Sequence, residues 1–316
     1  MNNLDEIKYK IKDINKIFLD RYEKIFSLTD DDFKKNVLDE VGYVKSLKKL
    51  DTKELISIGK VVGVDGSVNR VGGAFPHYID IFQALAKSTI GEDIFLNDVY
   101  TPFIDNKDYS DDVEEDRRKR DRRLAIIEME VALKAIDELS PNVILMDGGL
   151  IRYKISNGSM YNNLVDTCIR NDVILVGVIK DIKTKIISEA LGDGFYYDRE
   201  ILYGKFKQGQ MLIVNDELNK KYSETDGLVS CFLRGSVSPN VIGIDLPSEN
   251  SKYLSMVANL VYSLIPTHSR GVPLWLDIVD SEVKIKDSLM NAMLEEYLDR
   301  HIYERFFVSE RDRRTL

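Results

Sequence analysis

The chain has 316 residues, 44% of them hydrophobic and 31% charged, with only seven Pro and a formal net charge of −9. That is an ordinary globular composition, enough for one sizeable domain or two smaller ones, and the acidic total excludes a general basic coat for nucleic acid. Contact with phosphate must then come from local clusters of Lys and Arg. Two cysteines, Cys168 and Cys231, match no metal-ligand spacing and read as reduced thiols. The N-terminus lacks a signal pattern and no apolar run approaches a membrane span, so a soluble cytoplasmic protein is expected.

Residues 1–55 carry Ile7, Ile11, Ile14, Phe18, Tyr22 and Phe26 at three- and four-residue steps among charged residues, the period of an amphipathic helix. The spacing predicts a helical N-terminal arm, which either packs on the main domain or pairs with a second copy. From Val61 the period changes. Val61–Val64, residues 74–86 and Ile94–Tyr100 read as three strands in an antiparallel meander that opens a mixed sheet. The first of them ends in Asp65-Gly66-Ser67, so a buried valine run delivers a carboxylate to its end.

Residues 105–123 are almost solidly charged, acidic from Asp111 to Asp116 and then basic from Arg117 to Arg123. Such a run is a solvated loop or helix start, or else a phosphate-contacting patch. A helix follows from about Arg117 or Asp121 to Leu139 and stops at Ser140-Pro141. At 100° steps Leu124, Ile127, Val131, Ala132, Ala135 and Leu139 share one side, with Glu128 among them; Glu130 projects with Arg123, Lys134 and Asp137. A Glu on an apolar face must be paired or bound to a metal. Glu128 is therefore the candidate ligand, the bland alternative being a rim Glu paired with a nearby Arg.

Val143–Met146 is a continuously apolar strand that ends in Asp147-Gly148-Gly149. A helix over Tyr161–Asn171 and a second buried strand, Val173–Ile179, lead to Lys180, which is either an ordinary strand-end lysine or a cation that neutralises a phosphate. Helices alternating with buried strands imply a partly parallel sheet flanked by helices. Residues 185–245 add glycine turns and three further strands, Met211–Val214, Leu228–Leu233 and Val241–Leu246. Tyr196, Tyr197, Tyr203 and Phe206 stand there among Arg199, Lys205 and Lys207. They read mostly as core aromatics, although such rings also grip single-stranded nucleic acid.

Asn250–Leu264 reads as a helix, and Leu274, Leu276 and Ile278, alternating with Trp275, Asp277 and Val279, as a strand. A helix from Asp280 to about Tyr303 and a charged tail, residues 306–316, complete the chain. Asp280 is then either a helix N-cap or a further ligand at a strand-to-helix junction. Asp65, Asp147, Glu128 and Asp280, with three His in the whole chain, form an oxygen-rich set suited to hard divalent ions, Mg²⁺ or Mn²⁺. Two such ions about 4 Å apart are the usual device for cleaving a phosphodiester, which suggests a nuclease.

Val64-Asp65-Gly66-Ser67, the Arg-rich helix with Glu128, Leu145-Met146-Asp147-Gly148-Gly149-Leu150, Gly177-Val178-Ile179-Lys180 and Gly271-Val272-Pro273-Leu274 with Asp280 occur in the order seen in the NurA family of DNA-end-processing nucleases, which the chain resembles over about residues 60–290. The resemblance implies an RNase H-like core within residues 56–305, with a helical N-terminal arm and an additional β-rich insertion. It also implies single-strand endonuclease and 5′-to-3′ exonuclease activity with Mn²⁺, a homodimer, and partnership with a HerA-type hexameric ATPase in DNA repair or phage defence. Two places depart from the family pattern: Val272 and Asp280 stand where the family has Tyr and His. His268, a few residues upstream, is a spatial substitute. The rival of a different class is a non-catalytic RNase H-like scaffold that binds DNA or a partner ATPase.

Overall fold

A computed structural model describes residues 3–73, 75–105, 113–192, 194–215, 218 and 227–308. The chain begins with α1 (Asn3–Phe26), α2 (Asp30–Phe33), a π-helical turn (Lys34–Leu38), α3 (Asp39–Val41) and β1 (Gly42–Ser46). The N-terminal arm is thus helical to Val41 and again from Thr52, with a strand between. β1 pairs antiparallel with a strand nearly 170 residues later, Gly42 opposite Val214, a long-range contact that local periodicity does not reveal. α4 (Thr52–Ile58) is held by a capping box in which Asp51 accepts from the Glu54 amide at 2.9 Å and Glu54 accepts from the Asp51 amide at 3.0 Å.

The expected meander follows as β2 (Val61–Gly72), β3 (Tyr78–Ser88) and β4 (Ile94–Tyr100). α5 (Val113–Leu139) then crosses the sheet to β5 (Val143–Asp147), which runs parallel to β2 with Val64 opposite Met146. α5 begins four residues before the earliest start expected, because Glu114, Glu115 and Asp116 sit in its first turn, where acids complement the helix dipole. The basic stretch therefore lies on a helix, partly neutralised by pairs such as Lys119 with Glu115 at 3.2 Å and Arg123 with Asp98 at 3.1 Å. Residues 106–112 of the charged run lie outside the described residues.

α6 (Leu150–Ser156) and α7 (Gly158–Arg170) lead to β6 (Ile174–Ile179), parallel to β5. After α8 (Ile186–Ala190) and α9 (Asp198–Leu202), three antiparallel strands extend the sheet: β7 (Gln210–Val214), β8 (Leu228–Arg234) and β9 (Ile242–Pro247). The chain closes with α10 (Leu254–Ser263), α11 (Leu274–Glu282), α12 (Asp287–Tyr297) and α13 (Arg300–Phe306). The described strands form a nine-stranded sheet in the order β1-β7-β8-β9-β6-β5-β2-β3-β4. An antiparallel meander whose first strand adjoins two parallel strands is the RNase H-like arrangement, here widened by four antiparallel strands. The expected fold class is the observed one.

Side chains alternate cleanly across this sheet. Val62, Val64, Ile144 and Met146 face α5, α6 and α7 in one core. Val61, Val143, Leu145, Val176 and Val178 face α10 and α11 in another. A third cluster joins Phe33, Val37 and Val41 to Ile186, Ile201, Phe206 and Leu212, and so fastens the N-terminal arm to the domain.

One expectation fails: Leu274–Val279 is the start of helix α11, not a strand. Leu276, Val279 and Val283, three and four residues apart, are fully buried, and Trp275 donates to the Lys87 carbonyl at 3.3 Å. The alternation that suggested a strand was carried by Leu274, which is exposed, and Ile278, which is half-buried. Pro273 at the N-cap position, with its fixed φ, favours the helix start. Asp280 is accordingly neither an N-cap nor at a strand-to-helix junction; it lies in the last turn of α11. The single helix expected from Asp280 to Tyr303 is divided among α11, α12 and α13.

Candidate active site

β5 and β6 run out of the sheet at the same end, beside the point where β2 loses β5 as a partner; β2 does not stop at Asp65-Gly66-Ser67 as expected but continues against β3 to Gly72. One residue beyond the Val64–Met146 pair stand Asp65 and Asp147, and both share the sheet face of Val61, Val143 and Leu145. Two residues past Val178, the partner of Asp147, comes Lys180 on the same face. Its ammonium donates to Oδ2 of Asp147. Asp65 is 8% exposed and takes a hydrogen bond on Oδ1 from the Gly66 amide at 2.8 Å.

Gly66 points toward α5. A Cβ there would come within 2.8 Å of Oε1 of Glu128 and of Cδ1 of Leu124, so only glycine leaves room for the Glu128 carboxylate beside the strand end. Glu128 is 1% exposed and Glu130 is exposed, as the helical phase predicted. Glu128 accepts from Nη2 of Arg152 on Oε2, while its Oε1 is buried with no hydrogen-bond partner. Gly148, with φ of 141°, makes the turn from β5 into α6 and brings Arg152 round to this acid.

α11 is tied to β2 by the Ser67 hydroxyl, which donates to the Val283 carbonyl at 2.8 Å. That contact carries Asp280 toward the strand ends, where its charge bears on Asp147. Asp280 itself is paired with Lys284 at 2.7 Å. His268 is exposed in the loop before α11, and among the described residues no hydrogen bond or ion pair joins it to these acids.

Electrostatics bind the group together. Burial, followed by the charges of Asp147 and then Glu128, pushes the Asp65 carboxyl up to about 8. Burial also raises Glu128 and Asp147, opposed by Arg152 at the first and by Lys180 at the second. Several acids that resist ionisation side by side form a site that gains from a bound cation.

Among the described residues no three His, Cys, Asp or Glu side chains stand close enough to hold a single ion as they lie. What the strand ends offer is a pair, Asp65 and Asp147, with the unpartnered Oε1 of Glu128 facing Gly66. The donor chemistry fits a hard divalent ion, because Mg²⁺ commonly takes one or two carboxylates and completes its shell with water and phosphate oxygens.

Sequence reasoning identified the acids and Lys180 but not their cationic partners Arg152 and Lys284. Arg152 lies in a helix of seven residues, too short for a periodic signal, and nothing local marks it. It also passed over Asp245 of β9, which is fully buried and accepts from Ser230 at 2.7 Å, a structural bond within the sheet.

The sequence model of the NurA domain matches residues 59–285. Among solved structures, the NurA nuclease from Sulfolobus solfataricus is similar with a TM-score of 0.60 and 13% identity, covering 93% of this chain and 98% of that one. The catalytic domain of human endonuclease V reaches a TM-score of 0.39 at 14% identity, over 84% of this chain and 94% of that one, a likeness too low to carry an argument. No curated protein matches the chain in sequence.

Proposed function

Since the chain belongs to the NurA family, its domain model matching residues 59–285, we propose that it is a nuclease that hydrolyses DNA phosphodiesters with the help of Mn²⁺ or Mg²⁺. The observation that carries this reading is the adjacency of Asp65 and Asp147 on parallel strands, with Glu128 coupled to both. Asp65 and Asp147 would hold the ions, with Glu128 and Asp280 completing the shell. When bound, two ions supply the charge that activates a water and stabilises the leaving oxygen.

The chain's own residues do the rest. Lys180 orients Asp147 and would help to neutralise an incoming phosphate. Arg152 holds the Glu128 carboxylate over the strand ends and keeps its charge compensated in a buried position. Asp65, protonated up to about pH 8 without a cation, must give up that proton when a cation binds.

The finer expectations follow the family: single-strand endonuclease and 5′-to-3′ exonuclease action, a homodimer, a HerA-type hexameric ATPase as partner, and a role in DNA repair or phage defence in the cytoplasm. No helix among the described residues is long and apolar enough to cross a membrane.

One observation favours the scaffold reading instead: Asp147, Glu128 and Asp280 each carry a Lys or Arg partner. Incubation of end-labelled single-stranded DNA with purified protein separates the two readings. A nuclease cuts it with Mn²⁺ and stops on chelation or in Asp147→Asn; a scaffold leaves the DNA whole under every condition.

A further inference from the structure

A cavity of about 610 Å³ opens beside Lys180, between the C-terminal end of α1 and α9. We propose that it receives one unpaired base of a single DNA strand whose neighbouring phosphate lies at the acidic strand ends. The inference rests on the nuclease reading and names a substrate subsite for it. The volume falls within the range of about 300–1,000 Å³ usual for small-molecule sites.

Phe26 from α1 and Tyr203 from the end of α9 line the cavity, yet they are 70% and 58% exposed. Large rings left open at the mouth of a cavity are placed to stack on a flat apolar partner. Val241, Ile242 and Val272 supply an apolar lining. Tyr22 is held in place, its hydroxyl donating to Oε1 of Glu200 at 3.0 Å and its ring tilted against Tyr196 at 5.7 Å.

Charge places the phosphate beside the base. Lys180 belongs both to the cavity lining and to the acid site, so base and scissile phosphate would meet across one side chain. Arg199 and Arg270 also line the cavity. Each is paired with a partly exposed acid, Asp181 and Asp277, in contacts that a phosphate can exchange at little loss. Arg270 also feels the charges of Asp280 and Asp147, which places it on the boundary between cavity and acid site. A lining that combines open rings and apolar side chains with three cations, and whose acids Asp181 and Glu200 are already paired, suits a nucleotide, which brings both a flat ring and a phosphate. A paired base has both faces covered by its neighbours in the stack and cannot enter.

The α1 wall lies outside the family domain, which begins at residue 59. Phe26 and Tyr22 therefore come from outside the matched stretch.

Binding is measured by fluorescence anisotropy with the full chain in EDTA, so that no cleavage intervenes. The probes are fluorescein-labelled oligo-dT and a duplex of the same length. Tyr203→Ala and Phe26→Ala are each expected to weaken oligo-dT binding about 5- to 150-fold. Tyr203→Phe keeps the affinity, as does Tyr297→Ala, a control at an exposed ring outside the cavity. Duplex binding stays within about twofold in all four. Unchanged oligo-dT affinity in both alanine variants overturns the subsite, and so does an equal loss on both probes, which would assign the effect to backbone charge alone. A separate Mn²⁺ cleavage assay tests the nuclease reading; wild-type protein that binds oligo-dT through these rings but cuts nothing would sink that reading while leaving the subsite.

Discussion

Arg152 donates from Nη2 to Oε2 of Glu128, a carboxylate that is 1% exposed and whose other oxygen has no partner. The pair is asymmetric: Arg152 reaches solvent with 41% of its side chain exposed, and Glu128 does not. Removing the arginine would leave a buried acid that must either stay charged without compensation or take up a proton. Arg152→Ala is expected to lower unfolding stability by about 1–3 kcal/mol, measured in urea at neutral pH. Combining it with Glu128→Gln should return part of that loss, since the buried charge is then absent.

Asp65 gives a pH dependence of definite sign. Its carboxyl is pushed up to about 8 in the folded chain against about 3.9 when unfolded. Below the lower value both states hold the proton. Between the two the unfolded chain ionises first, so this group makes the metal-free protein less stable as pH rises, and the loss is complete above about 8. Asp65→Asn should therefore unfold at a higher temperature than wild type at pH 8.5 in EDTA, with the difference closing toward pH 4. A constant difference across that range, read by thermal denaturation, would contradict the burial and charge assigned to Asp65.

Gly66→Ala tests the close approach of α5 to β2. Its Cβ would meet Oε1 of Glu128 and Cδ1 of Leu124 at 2.8 Å, so something must move. A loss of about 1–3 kcal/mol in stability is expected from overpacking. Any cleavage activity should fall with it, because the side chain displaced is a proposed ligand.

Lys180 separates two effects that the acids confound. Lys180→Met frees Oδ2 of Asp147 from its ammonium. Mn²⁺ affinity should then hold or rise, while kcat for DNA cleavage falls by about 10²-fold through loss of a cation at the phosphate. A parallel fall in metal affinity would mean that Lys180 supports the acids rather than the substrate.

Much of this site can be read from the sequence because two of its acids directly follow short apolar runs, where burial and position are both local properties, although β2 itself continues past Asp65 to Gly72. Asp65 and Asp147 follow from Val61–Val64 and Val143–Met146, and Glu128 follows from helical phase alone. What escaped depends on distant or very short pieces. β1 forms only against β7, Arg152 rides on a seven-residue helix, and α11 looked like a strand because Leu274 and Ile278 mimic alternation over five residues. In that last case the packing of Leu276, Val279 and Val283 against the sheet decided the outcome, a tertiary contact with no trace in a six-residue window.

The central claim is that Asp65 and Asp147 together hold divalent ions at the strand ends. Titration of Mn²⁺ into the metal-free protein by calorimetry reads it without reference to DNA. Binding that releases protons in the wild type, and disappears in both Asp65→Asn and Asp147→Asn while each variant stays folded, is the predicted result. Wild-type protein that binds no Mn²⁺, or variants that bind it as the wild type does, would contradict the account.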